Sequence, residues 1–145
     1  PLASVRPYIH LIGECGTVLL ASAELARQLG KGPLGRLDGA PFLLPSAGSI
    51  LRWSLEEWFA THKIRPRVVA ELDDSALAET LAEAGLGIFA APAIVAHEIR
   101  RHSRVRPVAR LDKLKQRFYV ISIERKIRHP AVVAIREAAR ENMFH

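Results

Sequence analysis

Apolar positions along this chain fall into short β-like runs that alternate with stripes at helical spacing. Val5–Leu20 is rich in β-formers and interrupted at Gly13–Gly16, which predicts an extended crossing segment with a kink or bulge. Ser22 is placed to cap a short helix over Ala23–Leu29, ended by Gly30 and the Gly32–Pro33 pair. After a turn at Asp38–Gly39, Pro41–Leu44 reads as a short buried strand stopped by Pro45. Ser46 or Ser49 then caps a long helix whose Leu51, Leu55, Trp58 and Phe59 share one face. The pattern repeats: a strand at Arg67–Leu72, N-caps among Asp73–Ser75, and a helix carrying Leu77, Leu81 and Ala84 on one side. Gly85 stops that helix, and Leu86–Ala90 is a continuous apolar strand of the kind covered on both faces. A helix follows from near Pro92 to about Arg101, then strands at Val105–Ala109 and Arg117–Ile123. Pro130 opens a last helix striped by Val132, Ile135, Ala139 and Met143. Strands alternating with helices predict an α/β fold with mostly parallel strands.

Composition removes whole classes. The 145 residues are 49% hydrophobic and 25% charged, enough apolar content for a core and too ordinary for disorder. A single cysteine, Cys15, closes no intrachain disulfide, which argues against a secreted disulfide scaffold. The longest uncharged apolar-rich run, Leu86–Ala96, falls far short of the ~20 residues of a membrane span. No signal segment opens the chain, and its first residues already read as strand, so a piece of something longer is expected. The net charge of +6 is concentrated between Arg100 and Arg128, where eleven basic residues face two acidic ones. These alternate with apolar residues or flank turns, the pattern of a solvated surface rather than of a groove-entering helix.

Catalytic and metal motifs fail on geometry. Gly85–Leu86–Gly87–Ile88–Phe89–Ala90 spells G-x-G-x-x-A, yet a helix precedes it and a strand follows, the reverse of a dinucleotide fingerprint. A helix stop and close packing explain it better. His97–Glu98 and His102 have the wrong spacing for a zinc-protease helix, and one cysteine builds no structural zinc site. Cys15 has no sequence-local base and reads as an inert thiol. With no G-x-S-x-G elbow and no P-loop, neither enzyme chemistry nor a cofactor is expected. Two strand-to-helix turns remain. Leu44–Ser49 offers hydroxyls, a flexible glycine and a helix start to a small polar or anionic ligand, with simple helix capping as the alternative. Glu71–Ser75 places Glu71, Asp73 and Asp74 where a cation or amine would suit better, again with capping as the alternative.

The order of these motifs resembles a known family. Leu37–Pro45, the helix Ser49–His62, Arg67–Leu72, Asp73–Leu77 and above all Ala84–Pro92 are similar to the effector-binding domain of LysR-type transcriptional regulators. Arg65–Val69, Arg117–Ser122 and Arg128–Val133 resemble its sodium/proton-antiporter regulator (NhaR-type) branch. The resemblance implies a two-lobed, type 2 periplasmic-binding-protein-like fold in which 1–21 and 107–145 form an incomplete lobe I and 22–106 an intact lobe II. It implies an effector site drawing on Pro45, Ser46 and Ser49, whose hydroxyls would hold a carboxylate, with backbone and apolar contact from Ala91 and Pro92. Glu71 and Asp73 stand as the competing cation or amine contacts. The implied protein is a cytoplasmic, non-catalytic transcriptional activator that senses a small molecule or ion, the antiporter-regulator resemblance implying a response to sodium or alkaline conditions. It would pair into a homodimer, touch no membrane, and bind DNA through a winged helix-turn-helix absent from this chain. The alternative is a stand-alone solute-binding domain of the same fold, for which export would be the discriminator.

Overall fold

The computed structural model describes residues 7–122 and Glu137; the expected helix from Pro130 onward, Val5 and Ile123 lie outside them. The chain parts into two compact units, Gly16–Leu114 in one and Pro1–Cys15 with Lys115–His145 in the other. In the second of these, the described residues include two strand ends, with Arg117 Nε donating to Glu14 Oε2 at 3.2 Å.

The Gly16–Leu114 unit contains most of the described elements. β1 (Tyr8–Ser22) is one strand, without the expected break at Gly13–Gly16. Gly16 explains the false signal. A Cβ there would stand 3.1 Å from the Asp112 Cα, so this glycine serves close approach of backbone rather than a kink. β5 (Val105–Ser122) is likewise one strand where two were expected. Its buried residues Val105, Val108, Leu111 and Leu114 recur every third position, so the alternation that marks a strand is missing just where the two runs join. β4 (Phe89–Pro92) pairs antiparallel with β1, Leu20 opposite Phe89 and Thr17 opposite Pro92, in a sheet of order β4-β1-β5.

β2 (Pro41–Leu44) and β3 (Arg67–Glu71) run parallel, Phe42 beside Val68 and Leu44 beside Glu71. A parallel bridge from Phe42 to Ile88 continues this pair toward β4, with Leu43 N–H donating to the Ile88 carbonyl at 2.8 Å and Ile88 N–H to the Pro41 carbonyl at 2.9 Å. Strand pairing is therefore mixed, parallel in the β2-β3 sheet and antiparallel between β1 and β4 of the other, not mostly parallel as expected. The expected strand Leu86–Ala90 starts three residues later than its apolar run, because Leu86 is exposed and Gly87 is a packing residue. A Cβ on Gly87 would meet Leu43 Cγ at 3.1 Å and the Pro41 carbonyl at 3.2 Å. With Gly85 at φ 89° as the helix stop, both glycines of the G-x-G-x-x-A stretch serve packing and termination.

Capping places the helices. Ser22 Oγ accepts from Leu25 N–H at 3.1 Å to start α1 (Ala23–Leu29). Ser49 rather than Ser46 caps α2 (Ile50–His62), accepting from Arg52 N–H at 3.1 Å. Asp74 caps α3 (Ser75–Glu83), its Oδ1 accepting from Ala76 and Leu77 at 2.9 and 3.3 Å. α4 (Ala93–His102) follows Pro92 directly. β2 is covered on both faces. Phe42 and Leu44 pack with Leu55 and Phe59 of α2, whereas Leu43 belongs to a second cluster with Ala82 of α3 and Ala96 of α4. The packed face of α3 is Ala78, Leu81 and Ala82, not the expected Leu77, Leu81 and Ala84; small alanines let the helix lie close to the sheet, and Leu77 is left exposed. Among the described residues no helix is long and apolar enough to cross a membrane.

Candidate functional site

Because β2 and β3 are parallel neighbours, their carboxyl ends lie side by side, and each runs into the start of a helix. The turns after them and the beginning of β4 line an open cleft of about 230 Å³. Its walls are apolar: Leu43 and Leu44 from β2, Leu51 from α2, Leu72 after β3, Ala78 from α3, and Phe89 and Ala90 from β4. Pro45, Ser49, Asp73, Asp74 and Ser75 complete the lining. Open α/β sheets receive ligands at this end of their parallel strands.

The structure thus brings Pro45, Ser49 and Asp73 to one place and leaves the other expected residues off the lining. Ser46 is half-buried and its carbonyl accepts from Ser49 N–H at 3.1 Å, closing the turn. Ala91 is buried in β4 opposite Val18, and Pro92 is the residue before α4. Glu71 is turned onto Arg52. Leu43, Leu51, Leu72 and Phe89 were read from sequence only as parts of strands or of a helix face, and Ala78 was not singled out. Their signal was position, since Leu72 and Phe89–Ala90 abut strand-end turns.

Arg52 organises the polar side of this end. Its side chain is 12% exposed; Nε donates to Glu56 at 2.7 Å, and Nη1 donates to Glu71 at 3.1 Å and to the Pro45 carbonyl at 2.8 Å. The hydrogen bond to Glu56 raises the guanidinium pKa above its ordinary value against the opposing effect of burial, and Glu71 adds to the rise. One side chain therefore ties the first turn of α2 to the ends of both β2 and β3.

His102 lies 3.5 Å from Glu79 and 4.0 Å from Glu98, an exposed tie between α4 and α3, and His97 is exposed. Among the described residues no three His, Cys, Asp or Glu side chains gather where they could hold a metal ion. The basic residues from Arg100 to Arg117 are all exposed. Cys15 is half-buried.

Comparison with known proteins adds the family. Residues 8–144 match the LysR substrate binding domain. The transcriptional activator NhaR of Escherichia coli (strain K12) is 29% identical over 99 residues, 68% of this chain and 33% of that protein; NhaR of Shigella flexneri matches equally. The chain thus spans about a third of the length of these curated relatives. Among solved structures, the regulatory domain of Synechocystis PCC6803 CcmR in complex with 2-PG aligns with a TM-score of 0.67 at 21% identity, covering 99% of this chain and 71% of that one. The AmpR effector binding domain from Citrobacter freundii gives 0.67 at 18%, covering 94% and 69%. Full-length CbnR complexed with its target DNA gives 0.62 at 23%, covering 93% and 47%. The fold is the type 2 periplasmic-binding-protein-like α/β fold of these domains.

Proposed function

As a member of the LysR substrate-binding domain family, the chain is, we propose, the effector-sensing part of a LysR-type transcriptional activator whose effector docks in the cleft at the ends of β2 and β3. The convergence of two strand-end turns and the start of β4 on one apolar cleft supports this most directly. Residues 1–21 and 107–145 then belong to lobe I and 22–106 to lobe II. The part is non-catalytic and works in the cytoplasm as a homodimer. DNA binding falls to a winged helix-turn-helix outside these 145 residues, in keeping with the DNA-bound structure of full-length CbnR. Similarity to NhaR favours control of a sodium/proton antiporter as the finer assignment.

Filling the cleft tests this in the intact regulator. Ser75 is an exposed lining residue at the first position of α3, so Ser75→Trp occupies the mouth without disturbing the core. Induction of a reporter is expected to disappear while operator affinity and melting temperature are retained. Undiminished induction would reject the cleft as the sensor.

Ser49 lines the same cleft but already accepts Arg52 N–H. Ser49→Ala should cost ~1 kcal/mol as a lost cap, read from thermal melts. No change in melting would show that the cap contributes nothing.

A further inference from the structure

Resting on that assignment of the cleft, we infer that its occupant is a compact apolar molecule with an ammonium or similar cationic, hydrogen-bond-donating head, and that carboxylates are turned away. The two strand-end turns, read separately, invite opposite ligands; sharing one cleft, they must be summed. Among the described residues no basic side chain lines it. The one cation on the first turn of α2, Arg52, is committed to Glu56, Glu71 and the Pro45 carbonyl. Ser49 Oγ holds Arg52 N–H, and Asp74 Oδ1 holds the N–H groups of Ala76 and Leu77. Asp73 is different: its exposed carboxylate has no hydrogen-bond or ion-pair partner among the described residues. The starts of α2 and α3 contribute about half a positive charge each, against a full negative charge on each of Asp73 and Asp74. The sum is about one negative charge, which repels an anion and attracts a cation.

The remaining surface sets the rest of the ligand. Leucine and phenylalanine walls match an alkyl or ring body, not a bare metal ion, which needs several oxygens around it. A volume of about 230 Å³ lies below the ~300 Å³ at which pockets for drug-sized ligands begin, so the body is small. Asp73 supplies the counter-charge and the exposed Ser75 hydroxyl a further acceptor.

Calorimetric titration of the intact regulator with three five-carbon probes separates the possibilities: pentylammonium, 1-pentanol and pentanoate. Pentylammonium should bind at least tenfold more tightly than pentanol, and pentanoate should give no binding heat. Asp73→Asn should bring pentylammonium down to the level of pentanol with the melting temperature unchanged. Pentanoate or pentanol binding as well as the ammonium, or an Asp73→Asn variant that keeps the tenfold gap, would overturn the cationic class while leaving the cleft a ligand site. If none of the three binds, or if Ser75→Trp leaves pentylammonium binding intact, the cleft is no ligand site and both proposals fall.

Discussion

Phe42→Ala is expected to lower the free energy of unfolding by ~3–5 kcal/mol, the range for truncating a buried aromatic in a packed core. The ring is 1% exposed and stands edge-on to Phe59, with centroids 5.1 Å apart and planes at 75°. It sits where β2 meets α2 on one face, and its chain neighbours Pro41 and Leu43 hydrogen-bond to Ile88. The hole would be slow to close. Its walls belong to β2, held by hydrogen bonds to Ile88 and by β3, and to α2, anchored by Ser49 and Arg52. Against a typical total of ~5–15 kcal/mol, such a loss would remove a large share of the stability. Urea unfolding followed by tryptophan emission reads the right place, because Trp58 packs 5.7 Å from Phe59 and Trp53 lies on the same helix. A loss below ~1 kcal/mol would mean that the surroundings collapse freely and that Phe42 is no keystone.

Arg52→Ala should be the largest polar effect, ~2 kcal/mol. Hydrogen bonds to charged groups contribute ~1.5–3 kcal/mol when buried, but Glu56 and Glu71 are half exposed and solvent screens them. The bond to the Pro45 carbonyl and the packing of the arginine stem supply the rest. Arg52→Met keeps much of the stem and removes the charge, and Arg52→Lys keeps the charge without the fork that reaches three acceptors. The expected order of melting temperature is wild type, then Lys, then Met, then Ala. A methionine variant as stable as wild type would show that the three polar ties contribute nothing. The same variants bear on the site, since the ties hold the turn after β2 against the end of β3.

Legibility followed how local the cause was. Ser22, Ser49 and Asp74 cap their helices through contacts two or three residues away, and the stripe Leu51–Leu55–Trp58–Phe59 packs on the core because 3.6 residues per turn align it. β2 was readable for a related reason: an unbroken apolar run is what a strand needs when helices cover both faces. The misread elements had distant causes. Gly16 looks like a break along the chain but answers to the backbone of Asp112, whereas Gly87, read as a place of close packing, does pack closely, against Pro41 and Leu43. The three-residue period of β5 resembles no strand until its neighbours are in place.

The site divides the same way. The amino-acid sequence by itself determined the two strand-end turns, their helix starts and the types of side chain there, because capping and strand termination are settled within a few residues. It also determined the family, through the order of those motifs along the chain. Only the tertiary structure decided that the two turns form one cleft, since that follows from the parallel pairing of β2 with β3 across 22 intervening residues from Pro45 to Pro66. The same pairing brought Glu71 to Arg52 and so withdrew both from the lining, leaving Asp73 as the lining carboxylate without a partner among the described residues. Charges distant in sequence neutralise one another only when the fold makes them neighbours, so the electrostatic sign of a site belongs to the assembled structure and not to either turn alone.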